Sequence, residues 1–77
     1  MRIRVVVAGA AGKMGRAMSA GILREEDLAL AAAVDVQCPG ADIGELAGLC
    51  RTGVAVETDL RAALDAVRPE RVILFAV

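Results

Sequence analysis

Residues Val5 to Met18, which read VVVAGAAGKMGRAM, decide the fold. The segment opens on β-branched residues and closes on a helical pattern. Between them lie Gly9, Gly12 and Gly15, spaced GxxGxxG. A β-branched run that ends on glycine predicts a strand, here Arg2 to Ala8. Met14, Met18, Ile22 and Leu23 recur at helical spacing, with Lys13, Arg16, Arg24 and Glu25 at other positions. This predicts a helix from about Lys13 to Arg24. Gly15 and Gly21 each weaken that helix by roughly 1 kcal/mol relative to Ala, and close packing of the helix on the strands is the expected reason for both.

The rest of the chain repeats the alternation. The apolar run LALAAAVDV, Leu28 to Val36, predicts a second strand. Pro39-Gly40 marks a turn, and Asp42 is placed to cap a short helix IGELAGL with Glu45 closing a capping box. Val54 to Glu57 predicts a short third strand. Thr58 or Asp59 caps a helix whose apolar stripe is Leu60, Ala63, Leu64 and Val67, and Pro69 ends it. RVILFAV, Arg71 to Val77, is the fourth strand. The order βαβαβαβ with short helical crossovers predicts a Rossmann-like, three-layer α/β half-domain. Its four-stranded sheet is parallel, in the order 3-2-1-4. The chain stops within its most apolar strand. This predicts a truncated dinucleotide-binding domain, 1–77, with no substrate domain, or a sheet finished by another subunit.

Composition narrows the function classes. Apolar residues make up 57% of the chain, yet Phe75 is its one aromatic residue. Nine basic and ten acidic residues give a net charge of −1. Such a chain offers neither a broad cationic surface nor stacking platforms, so nucleic acid and anionic membrane are not expected partners. Cys38 and Cys50 stand alone, without CxxC and without any His, which argues against zinc and favours two reduced thiols in a cytoplasmic protein. No apolar run approaches the roughly 20 residues that span a bilayer.

A glycine loop between a first strand and a first helix has a defined chemistry. A helix N-terminus exposes unpaired N–H groups and a partial charge of roughly +0.5 e, where a pyrophosphate can sit if the backbone comes close. Gly9 supplies the tight turn, Gly12 the close approach, and Gly15 the contact of helix with strand. Asp35 follows Gly15 by twenty residues at the end of the second strand. There a carboxylate accepts from the ribose hydroxyls of a dinucleotide. Solvated or purely packing roles for these residues are the competing reading, and for Lys13 and Arg16 the two readings stand level. Asp35, followed by Val36 rather than Arg, disfavours a 2′-phosphate, while Lys13 favours one. NAD is therefore preferred and NADP admitted.

VVVAGAAGKMGR resembles the opening of the dihydrodipicolinate (4-hydroxy-tetrahydrodipicolinate) reductase family of lysine and diaminopimelate biosynthesis, whose motif GAxGxMGR is matched by Gly9 to Arg16. LALAAAVD, GADIGELAGL and VETDLRAAL resemble later segments of that family. The resemblance implies an NAD(P)H-dependent oxidoreductase, with cofactor contacts at Gly9, Gly12, Lys13 and Met14 and ribose contacts at Asp35. Phe75 matches a family residue near the nicotinamide half, whereas Leu74 and Ala76 replace an acid and a hydroxyl. The family's catalytic residues lie in segments that these 77 residues do not contain, so no catalytic residue is assigned and the chain alone is expected to be inactive. A Rossmann-like fragment without chemistry that self-associates is the alternative. On either reading the apolar edge strand Val72 to Val77 predicts a homo-oligomer.

Overall fold

The structure is a computed structural model that describes residues 2–74. The elements follow in the order β1 (Ile3–Ala8), α1 (Lys13–Arg24), β2 (Leu28–Val34), α2 (Ile43–Leu46), β3 (Val56–Glu57), α3 (Leu60–Val67) and β4 (Arg71–Leu74). All pairings between these strands are parallel, and the sheet order is β3-β2-β1-β4, as the alternating pattern predicts. β2 and β3 are shorter than the sequence suggests. β2 ends at Val34, so Asp35 projects just beyond the strand.

Two apolar clusters cover the two faces of the sheet. Val5, Val7, Leu30, Ala33 and Val56 meet Ile22 of α1 and Ile43 of α2. Val6, Ala8, Ala32 and Val34 meet Ala63 of α3, flanked by Leu60, Leu64 and Val67. Strand residues normally alternate between faces, yet Leu30 and Ala33 share one. The register explains this: Val5 pairs with Leu30 but Val6 pairs with Ala32, so Ala31 is an extra residue that reverses the parity of β2. Alanine has almost no side chain with which to signal a face, so LALAAAV does not announce the bulge.

The buried side of α1 departs from the sequence expectation in its first half, while Ile22 and Leu23 pack on the core as expected. Met14 is 63% exposed and Met18 38%, whereas Gly15, Ser19, Ala20 and Ile22 are buried. A Cβ on Gly15 would overlap the Gly9 carbonyl oxygen and lie 2.7 Å from Ala10 Cα. That backbone contact sets the rotation of the helix, with the small residues Ser19 and Ala20 buried beside it and Ile22 supplying the apolar contact with the sheet. Gly21, by contrast, has open space where its Cβ would be, so close packing does not account for it.

Caps settle the remaining boundaries. Asp59, not Thr58, caps α3 by accepting from the Ala62 N–H at 3.1 Å. Arg68 ends that helix in a left-handed conformation, φ 45°, its N–H donating to Leu64. Asp42 caps α2 through the Gly44 and Glu45 amides. Glu45 does not close a capping box; its carboxylate faces Arg51 at 4.0 Å. The start of β4 is tied to β1 through Glu70, whose carboxylate accepts from the Arg4 N–H at 2.7 Å and pairs with the Arg4 guanidinium at 3.2 Å.

Candidate dinucleotide-binding site

The site lies beyond the carboxyl ends of β1 and β2, where open α/β sheets place their ligands. Gly9 takes φ +83°, the left-handed turn that lets β1 fold back into α1. The loop after it is held at four points. Gly9 and Ala10 both donate to the Val34 carbonyl, at 2.7 and 3.1 Å. Gly12 donates to Gly9 at 3.3 Å. Ala11 donates to Asp35 Oδ2 at 2.9 Å.

The loop amides from Gly9 to Gly12 therefore already have acceptors within the protein. The helix proper begins at Lys13, and its first intrahelical bond of this kind runs from Arg16 to the Gly12 carbonyl at 2.9 Å. The N–H groups of Lys13 and Met14, in the exposed first turn, are orphans of the helix start. They are the donors a phosphate would meet.

Gly12 is exposed and caps α1 at φ −73°, ψ 170°, a conformation open to any residue. A Cβ there would stand 3.5 Å from the Gly9 carbonyl, an ordinary contact. Neither backbone geometry nor packing thus requires glycine at this position. What the missing side chain leaves open is the solvent-exposed start of the helix, next to Lys13 and Met14 in the chain, and orphan amides of this kind suit an anion such as a pyrophosphate.

Asp35 is half-buried. Besides Ala11, it accepts from the Gln37 N–H at 2.9 Å on Oδ1, and its own N–H donates to Glu57 at the end of β3. Each oxygen keeps a further lone pair for a ligand hydroxyl. Beside it an open groove of about 200 Å³ is lined by Gly9, Val34, Asp35, Val36, Thr58 and Leu60. Val36, 77% exposed, forms an apolar wall. Thr58 and Leu60 escaped the sequence reading because nothing in their residue types marks a ligand. Their position after the carboxyl end of β3 is the one available signal.

The structure thus brings Gly9, Gly12, Lys13, Met14 and Asp35 to one end of the sheet. Phe75 lies outside the described residues. Cys38 and Cys50 are both free and exposed, and no cluster of metal-ligating side chains occurs among the described residues. No helix among them is long and apolar enough to cross a membrane.

The family described as dihydrodipicolinate reductase, N-terminus, matches residues 3–76. A 4-hydroxy-tetrahydrodipicolinate reductase of Moorella thermoacetica is 49% identical over 75 residues, covering 97% of this chain and 28% of the relative. One from Syntrophomonas wolfei is 36% identical over 74 residues, covering 96% of this chain and again 28% of the relative. The chain thus spans little more than a quarter of the length of these relatives. A solved structure, dipicolinate-bound dihydrodipicolinate reductase from Paenisporosarcina sp. TG-14, matches all of this chain and 29% of its own, with a TM-score of 0.74 at 24% identity, which shows the shared fold. Sequence and fold together establish that the chain belongs to the dihydrodipicolinate reductase family and corresponds to its N-terminal part.

Proposed function

We propose that residues 1–77 form the dinucleotide-binding part of a cytoplasmic NAD(P)H-dependent 4-hydroxy-tetrahydrodipicolinate reductase, with the substrate domain outside them. The observation that carries this reading is Gly12, a glycine that neither backbone geometry nor packing requires, at the N-cap of a helix whose first amides lack intrahelical acceptors. On this reading the pyrophosphate lies over Gly12 against the Lys13 and Met14 amides. The ribose hydroxyls donate to Asp35, and the adenine covers Val36 and Thr58. Lys13 contributes a mobile positive charge beside the phosphates.

A bound nicotinamide dinucleotide would supply the hydride of the reduction. These residues bind and orient its adenosine half. The resemblance places the family's acid/base segment outside residues 1–77, and the proton donor is assigned there rather than to these residues. NAD is favoured over NADP because a 2′-phosphate would approach the Asp35 carboxylate, and Val36 offers no countercharge.

Titration calorimetry of the chain with NADH and NADPH tests the assignment. Both are expected to bind, NADH more tightly. Gly12→Val is expected to fold normally and to weaken NADH at least about tenfold, a loss of roughly 1.4 kcal/mol. Unchanged binding by that variant, or no binding of either cofactor at millimolar concentration, rejects the reading.

We also infer self-association through the edge strand predicted over Val72 to Val77. β4 lies at the margin of the sheet, and Val72 is 41% exposed. Such an edge offers unpaired backbone groups to a second copy. Light scattering at high micromolar concentration is expected to give a dimer mass. A monomer mass there rejects the inference.

A further inference from the structure

We propose that Asp35 is a positioning residue that fixes the glycine loop before any ligand arrives. The proposal rests on the nucleotide-binding reading and adds to Asp35 a role separate from its contact with ribose. Three of the four loop amides are held by backbone carbonyls, which no substitution can remove. Ala11 is the exception: its acceptor is a side chain 24 residues away. The carboxylate is itself fixed. Its backbone N–H is tied to Glu57 at 2.9 Å, and Oδ1 accepts from Gln37. The end of β3, the end of β2 and the glycine loop are thereby joined through one residue, the first by its backbone N–H and the loop by its carboxylate.

The chemistry of this junction requires a carboxylate. Two backbone N–H groups point at the two oxygens, one at each. An amide has one acceptor oxygen, so Asn in either orientation sets its NH₂ against one of these donors. Asp35→Asn, nearly isosteric, therefore cannot satisfy both. The bond to Ala11 also turns that amide towards Asp35 and leaves phosphate binding to Lys13 and Met14. Without the bond, a ligand would have to order the loop as it binds, which lowers affinity.

Two nucleotides separate this role from ribose recognition: ADP, and 2′,3′-dideoxy-ADP, which lacks both ribose hydroxyls. If the nucleotide-binding reading holds, the unaltered chain binds ADP more tightly than the dideoxy analogue. Equal affinity removes the ribose contact but leaves the loop role standing. For that role, Asp35→Asn is expected to weaken dideoxy-ADP about tenfold, although loss of a negative charge beside the phosphates acts in the opposite direction. It is also expected to speed hydrogen exchange of the Ala11 amide at least about tenfold while leaving Gly9 unchanged. Should the variant fail to fold, a scalar coupling across the hydrogen bond between Ala11 nitrogen and Asp35 Cγ in the unaltered chain decides. Its presence supports the proposal. Its absence, unchanged Ala11 exchange, or equal or tighter binding of dideoxy-ADP by Asp35→Asn overturns it.

Discussion

Gly15→Ala is expected to lower the melting temperature of the chain by more than about 12 °C, the loss that roughly 3 kcal/mol represents in a domain of this size. The added methyl would meet the Gly9 carbonyl oxygen, Ala10 Cα and Gly9 carbonyl carbon, the last at 2.8 Å. All three are backbone. The loop that carries them is pinned by two bonds to Val34, and so is poorly able to retreat. Overpacking usually costs about 1–3 kcal/mol when side chains can shift, and here they are not what is struck. Gly21→Ala, six residues further along the same helix, meets nothing within 4 Å. It is expected to stabilise by about 0.8–1 kcal/mol through helix propensity alone. Thermal melts followed by circular dichroism read both variants. Equal effects at the two positions would show that Gly15 is not the contact that sets α1.

Asp42→Ala is the second large effect, and it is polar in origin. The buried Asp42 carboxylate accepts from the N–H groups of Gly44, Glu45, Thr52 and Gly53, between 2.7 and 3.2 Å, and from the Thr52 hydroxyl at 3.1 Å. It caps α2 and holds the following turn against it. Removing it leaves these donors without their acceptor in a part-buried site, and a fall in melting temperature of about 10 °C or more is expected at pH 7.

The same contacts give a pH signature. The Thr52 N–H above all, opposed by burial and reinforced by the Gly53 and Glu45 amides and the Thr52 hydroxyl, brings the Asp42 pKa from 3.8 to about 2. A carboxyl whose folded pKa is depressed stabilises the fold fully above its unfolded value and loses that contribution as pH falls through the folded one. Stability attributable to Asp42 is thus expected to be complete above pH 4 and to decline towards pH 2. Asp42→Asn should remove that part of the acid dependence. A variant as acid-sensitive as the unaltered chain between pH 4 and 2 would place the effect elsewhere.

The sequence marked Asp42 as a helix cap but gave no hint of Thr52 and Gly53. Those contacts span ten and eleven residues, beyond any local motif. Asp35 shows the same division. Its place at the end of β2, after a strand–glycine–helix unit, was legible. Its bond to Ala11 was not, because which loop amide faces it depends on how β1 and β2 pair.

What the sequence by itself determined is the order of elements and hence the parallel sheet β3-β2-β1-β4. β-branched runs, glycine turns and capping residues act locally, and short right-handed crossovers leave few topologies. It also determined where a helix start with unpaired amides would follow a glycine loop, the place to which the proposed function assigns an anion. The rotation of α1 belongs to the tertiary structure. Met14 and Met18 are the more apolar side chains, but Gly15, against the loop backbone, and Ser19 are the buried ones. Hydrophobic periodicity weighs side chains by their affinity for water. Close backbone approach selects them by the volume they lack, and at this site backbone approach prevails.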